Sequence, residues 1–144
     1  MTVAQRTRTL SASQQELWEI VSDPHHMPRW WPGVDRMEGV DEGRFTQVLK
    51  TKRGRPVRAD FHIVRSEPPW TRSWAQDVAG TPFERVLTAS VVEVRLEPTP
   101  GGTEVTISQQ QQLRGYSRTG GFLVRRATDS KLDEALDGLT RICG

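Results

Sequence analysis

Apolar residues recur at intervals of three and four between positions 118 and 143, where Leu132, Ala135, Leu136, Leu139 and Ile142 or Cys143 draw one stripe along a long helix. Asp129, Asp133, Glu134, Asp137 and Arg141 cover its other sides. Upstream the stripe continues onto Asp129, Arg125 and Phe122, so the first half of the helix turns a partly polar face to whatever lies beneath it. The spacing leaves two readings. Either the second half anchors in a core and the first half roofs a cavity, with Gly120 and Gly121 as a loosely held hinge, or this is an ordinary packing helix with solvated first turns.

Ahead of it, residues 3–10 alternate weakly and read as a first strand. Ser13 and Glu16 form a capping box that opens a helix over 14–21, burying Leu17, Trp18 and Val21. Asp23-Pro24 stops that helix and starts a second, short one, which Pro32-Gly33 ends. From Val34 the period switches to two, and 34–40, 44–52, 56–65, 71–78, 83–97 and 103–113 read as six strands joined by short Gly- and Pro-bearing turns. Links this short make successive strands antiparallel neighbours. The chain is therefore one α+β domain over 1–144: strand, two helices, six-stranded meander, long helix.

Alternation assigns the faces. Val57, Ala59, Phe61 and Ile63 share one, with Arg58, Asp60 and His62 on the other; Trp74 falls inward with Gln76, Val78 and the awkward Arg72. Val92, Val94 and Leu96 face inward, with Thr88 and Ser90 upstream on the same side. Val105 and Ile107 carry the inner face onward to Gln109 and Gln111. An apolar face that turns polar along its length is the pattern of a cavity wall with a few hydrogen-bonding groups; the competing reading is a bulge that sends those polar groups outward. Leu87, Ala89 and Val91 fall on the outer face, where they could form a homodimer seam.

Composition narrows the function. The chain carries +2, and its seventeen arginines are interspersed with acidic residues, so no basic block of a nucleic-acid site forms. No apolar run is long enough for a signal peptide or a membrane span, which points to a cytoplasmic protein. Cys143, the sole cysteine, has no intramolecular partner. His25-His26 lacks a third ligand at useful spacing, so no metal is expected; no Gly-x-Ser-x-Gly or phosphate loop appears, and no cofactor is expected.

The order of elements, with the phrases Ser13-Gln-Gln-Glu-Leu-Trp-Glu-Ile-Val-Ser-Asp23, Met27-Pro-Arg-Trp-Trp-Pro-Gly-Val34, Val94-Arg-Leu-Glu-Pro98 and Gly101-Gly-Thr103, resembles the START and birch-pollen-allergen superfamily, also labelled SRPBCC or polyketide cyclase/dehydrase. The resemblance covers nearly the whole chain. It implies a helix-grip fold, a curved seven-stranded antiparallel sheet wrapped around the C-terminal helix, with an internal cavity for a hydrophobic small molecule such as a lipid or polyketide. On this chain the lining positions would be Trp30, Trp31, Phe61, Trp74, Ser90, Gln109, Gln111, Phe122 and Arg125. It equally implies two alternatives, a polyketide cyclase or dehydratase and a co-chaperone-like module for a protein partner. Ring closure needs a proton-exchanging group and donors for a growing enolate, for which Arg125 with Tyr116 is the pair to consider.

Overall fold

The computed structural model describes residues 1–115 and 118–144. The strands are β1 (Thr2–Leu10), β2 (Val34–Glu38), β3 (Arg44–Leu49), β4 (Val57–Glu67), β5 (Thr71–Gln76), β6 (Leu87–Thr99) and β7 (Gly102–Leu113). The helices are α1 (Gln14–Val21), α2 (Met27–Trp30) and α3 (Arg118–Cys143). All seven strands form one antiparallel sheet in the order β1-β7-β6-β5-β4-β3-β2. The two helices after β1 carry the chain from one edge of the sheet to the other, and the meander then returns, so that β7 pairs along β1. This is the helix-grip arrangement expected.

Local chemistry explains the helix starts. The N–H of Glu16 donates to Ser13 Oγ (3.1 Å), which caps the helix, and the Ser13 hydroxyl in turn donates to the Glu16 carboxylate at 3.1 Å. Asp23 caps the 3₁₀ turn Pro24–His26 by accepting from the His25 N–H at 3.0 Å.

On α3, Thr128, Leu132, Ala135, Leu136 and Leu139 are buried, and each leucine contributes roughly 1.5–3 kcal/mol by leaving water. The stripe runs upstream through Thr128 and half-buried Val124, whereas Asp129, Arg125 and Phe122 turn away. Spacings of three and four permit both continuations, and packing against the sheet selects the first. Asp129 and Asp133 meet Arg6 at 3.7 and 3.4 Å, and Asp137 meets Arg8 at 2.7 Å, which fastens the acidic flank of α3 to the edge strand β1. Gly121 lies within the described helix, as does Gly120, so neither forms a loop ahead of it.

The backbones of α2 and α3 touch at Gly138. A Cβ there would lie 2.6 Å from Trp30 Cα and 2.7 Å from Trp30 O, so only hydrogen fits.

Two departures from alternation matter for the inner face. Residues 83–86 do not extend the strand: Pro82 opens a 3₁₀ turn to Arg85, closed by the Val86 N–H on Phe83 O at 3.0 Å. A bulge between Leu87 and Ala89 then reverses the register. Thr88 is consequently exposed, donating to Gln112 O at 3.2 Å, while Leu87 is 8% exposed and faces inward with Leu113. The expected outer seam thus loses its first member. Ser90, beyond the bulge, keeps its inward place at 4% exposure.

Candidate functional site

The register lays inward residues in rows across the sheet. Ile63, Trp74, Val92, Gln109 and Ala4 form one row through β4, β5, β6, β7 and β1. Phe45, Phe61 and Gln76 form a second through β3, β4 and β5, and Ser90, Gln111 and Thr2 a third through β6, β7 and β1.

Aromatic rings join these rows to α2. Phe45 stacks on Phe61 with centroids 5.3 Å apart, and its edge meets Trp74 at 6.3 Å. Trp74 in turn meets Trp31 at 5.6 Å and Trp30 at 6.4 Å, and those two meet each other at 5.5 Å, all close to perpendicular. Each such pair adds about 0.5–1.5 kcal/mol beyond its buried area. Pro28 and Pro32 flank the two tryptophans, and the turn they set brings both rings onto the sheet. An open surface hollow of about 220 Å³ at the ends of β3 and β4 is bordered by Arg44, Thr46, Asp60 and Asp77 as well as by Phe45 and Phe61.

Polar groups stand among the rings. Gln109 Nε2 donates to Ser90 Oγ at 3.1 Å, and Gln47 Nε2 lies 3.4 Å from Met27 Sδ. The Thr128 hydroxyl has two acceptors within reach, Val124 O at 2.9 Å and Gln111 Oε1 at 3.0 Å. Five buried side-chain atoms have no partner among the described residues; Thr99 Oγ1 lies at the end of β6, and the other four, Trp30 Nε1, Trp74 Nε1, Gln76 Nε2 and Gln109 Oε1, belong to this group. An unsatisfied buried polar group costs about 1–3 kcal/mol, so four of them on one face call for partners, whether ordered water or the polar atoms of a guest.

Lys131 completes the inner face. It leaves α3 one turn after Thr128, and its ammonium lies 5.0 Å from the centroid of the Trp31 ring. Burial pushes its pKa below the ordinary lysine value.

Of the residues expected from sequence, Trp30, Trp31, Phe61, Trp74, Ser90 and Gln109 are buried on this face and Gln111 is half-buried there. Phe122 is 53% exposed and carries the guanidinium of exposed Arg125 at 5.9 Å from its ring, on the outer side of α3. Tyr116 lies outside the described residues. Arg72, half-buried, donates to Ser66 Oγ at 2.9 Å. The sequence places Gln76 inward without marking it as a lining residue, and it leaves Phe45, Thr128 and Lys131 unmarked. Phe45 and Gln76 were visible as alternating inward positions, whereas Lys131 needed the exact helix phase.

Elsewhere, His62 pairs with Asp77 at 2.7 Å, beside Arg44 at 3.0 Å from the same carboxylate. His25 and His26 both lie near Asp23, and no three His, Cys, Asp or Glu side chains among the described residues could hold an ion. Cys143 is half-buried, and burial pushes its thiol pKa up, away from reactivity. No helix among the described residues is long and apolar enough to cross a membrane.

The chain is matched over residues 1–144 by the model of a family described as polyketide cyclase / dehydrase and lipid transport. An uncharacterized protein of Mycobacterium tuberculosis is 24% identical over 139 residues, which are 94% of this chain and 80% of that protein. A START superfamily protein from Mycobacterium smegmatis superposes with a TM-score of 0.79 at 11% identity, covering 99% of this chain and 97% of that one. StfQ, a di-domain ARO/CYC from the steffimycin biosynthetic pathway, gives 0.79 at 14% identity over 99% of this chain and 50% of its own. At these identities the structural likenesses establish the fold.

Proposed function

Since the chain belongs to the polyketide cyclase / dehydrase and lipid transport family, we propose that it binds a hydrophobic small molecule, lipid or polyketide-like, between the inner face of the sheet and α3. The observation that carries this reading is the set of unpartnered polar atoms on Trp30, Trp74, Gln76 and Gln109, set among aromatic rings on one face. Apolar walls with a few fixed polar groups are how proteins hold and orient such guests. Rings supply the area, and the four polar atoms supply the orientation. Arg125, the described member of the pair considered for ring closure, stacks on Phe122 outside this group, which favours binding over ring closure at these rings.

Native mass spectrometry of the purified protein, followed by calorimetric titration with acyl chains and polycyclic phenols, tests this reading. The expected result is a retained or titrated guest at one per chain. A guest at one hundred times its Kd should also raise unfolding stability by about 2.7 kcal/mol. Absence of any co-purified molecule together with no heat and no stabilisation from either ligand class would refute it.

A further inference from the structure

Four nitrogen donor groups of the inner face lack an acceptor: the indole N–H groups of Trp30 and Trp74, the amide of Gln76 and the ammonium of Lys131. Only one unpartnered atom there, Gln109 Oε1, is an acceptor. The imbalance has a sign. A wall of this kind complements a guest rich in acceptors, and the cation within it complements one that carries negative charge.

Lys131 is the informative member. The chain has seventeen arginines and three lysines, and the other two lysines, Lys50 and Lys52, lie on the exposed turn after β3. Of the four carboxylates of α3, Asp129 and Asp133 pair with Arg6 and Asp137 with Arg8 on the opposite flank, and Glu134, one turn beyond Lys131, lends its ammonium no charge. Among the described residues its ammonium has no carboxylate or carbonyl partner, only the face of Trp31. A ring face compensates part of a cation's lost hydration and leaves its N–H groups free to donate. Trp31 packs directly on Trp74 and Trp30, so the free charge and the free indole donors belong to one aromatic group.

We propose that the guest is a hydrophobic carboxylic acid, whose carboxylate docks on the Lys131 ammonium above Trp31 while its apolar body lies along Trp74, Phe45 and Phe61. This rests on the binding reading given above and narrows it to one ligand class. It makes Lys131 a specificity residue, since the charge-assisted pairing of ammonium with carboxylate over Trp31 is lost with the neutral analogue.

The test compares matched acids and neutral isosteres on the full chain by calorimetry and tryptophan fluorescence: dodecanoate against 1-dodecanol, and 9-anthroate against 9-anthracenemethanol. The expected result is a preference for the acid of tenfold or more in the wild-type protein. Lys131→Met should reduce it to less than twofold, and Lys131→Arg should retain it. Acetylation of Lys131 in the wild-type protein, read by peptide mass mapping, should slow in the presence of the acid and not of the alcohol; this needs no variant to fold. Equal binding of acid and alcohol, or a preference that survives Lys131→Met, would overturn the assignment and leave the binding reading intact. Failure of all four probes to bind would overturn the assignment, and together with the absence of any co-purified molecule it would overturn the binding reading too.

Discussion

The contact between Gly138 and Trp30 gives a prediction whose sign can be worked from geometry. In a helix interior Gly→Ala ordinarily stabilises, by about 1 kcal/mol. Here the added carbon would lie 2.6 Å from Trp30 Cα and 2.7 Å from Trp30 O. Unstrained carbon contacts need about 3.5–4.0 Å, so α3 must retreat by roughly 1 Å. The obstacle is backbone, and no rotamer change relieves it. Overpacking of this kind costs up to about 3 kcal/mol, which exceeds the propensity gain and leaves a net loss of about 2 kcal/mol. For a chain of this length that lowers Tm by roughly 8 °C. Because Trp30 carries the clash, the Trp30–Trp31–Trp74 cluster should shift too, visible as a changed near-ultraviolet circular dichroism spectrum. The control is Gly121→Ala on the same helix, where the nearest atom to the new carbon is Thr2 Oγ1 at 3.8 Å. It should raise Tm by about 2–4 °C. Thermal unfolding of the two variants beside the wild type decides the matter. A Gly138→Ala protein as stable as the wild type would refute the close approach of α2 and α3 on which the placement of the tryptophans depends.

Three further outcomes are expected. Ser13→Ala removes the acceptor of the Glu16 N–H at the start of α1 and should cost about 1 kcal/mol, or roughly 4 °C by calorimetry; Ser13→Thr should recover most of it. The double change Ser90→Ala with Gln109→Leu removes a buried hydrogen-bonded pair together with the unpartnered Gln109 Oε1. It should leave the unfolding free energy level or raise it by up to about 1–2 kcal/mol while weakening dodecanoate binding, and a loss beyond about 1 kcal/mol would mark the pair as structural. Lys131→Met should stabilise the unliganded protein at neutral pH. The native lysine binds its proton less readily than the unfolded one, so wild-type stability rises with pH between the native and unfolded lysine pKa values, and the variant should lack that rise in urea titrations.

The order of elements was legible because each signal is local: period two in the strands, a capping box at Ser13, a Pro-Gly stop after Trp31. The inner face was legible wherever alternation ran unbroken, as for Trp74, Val92 and Gln109. It failed at Thr88, because a bulge adds one residue without any compositional mark in that stretch. It failed again at the start of the long helix. Counting by threes and fours from Leu132 reaches either Asp129 and Arg125 or Thr128 and Val124, and only packing chooses between them. That choice moved Arg125 outward and brought Lys131 inward, so the phase of one helix decided which cation faces the aromatic group.

The pairing of β1 with β7 joins Thr2 to Gln111 and Leu10 to Thr103. During synthesis β1 leaves the ribosome long before β7, its neighbour in the sheet, exists, and the contacts between them, from Leu10 with Thr103 to Thr2 with Gln111, each close a loop of more than half the chain. The meander can zip by successive hairpins meanwhile, with its aromatic wall open to water. Nascent protein of this design therefore spends its most vulnerable interval nearly complete, and the last strand and helix to be made are what cover it.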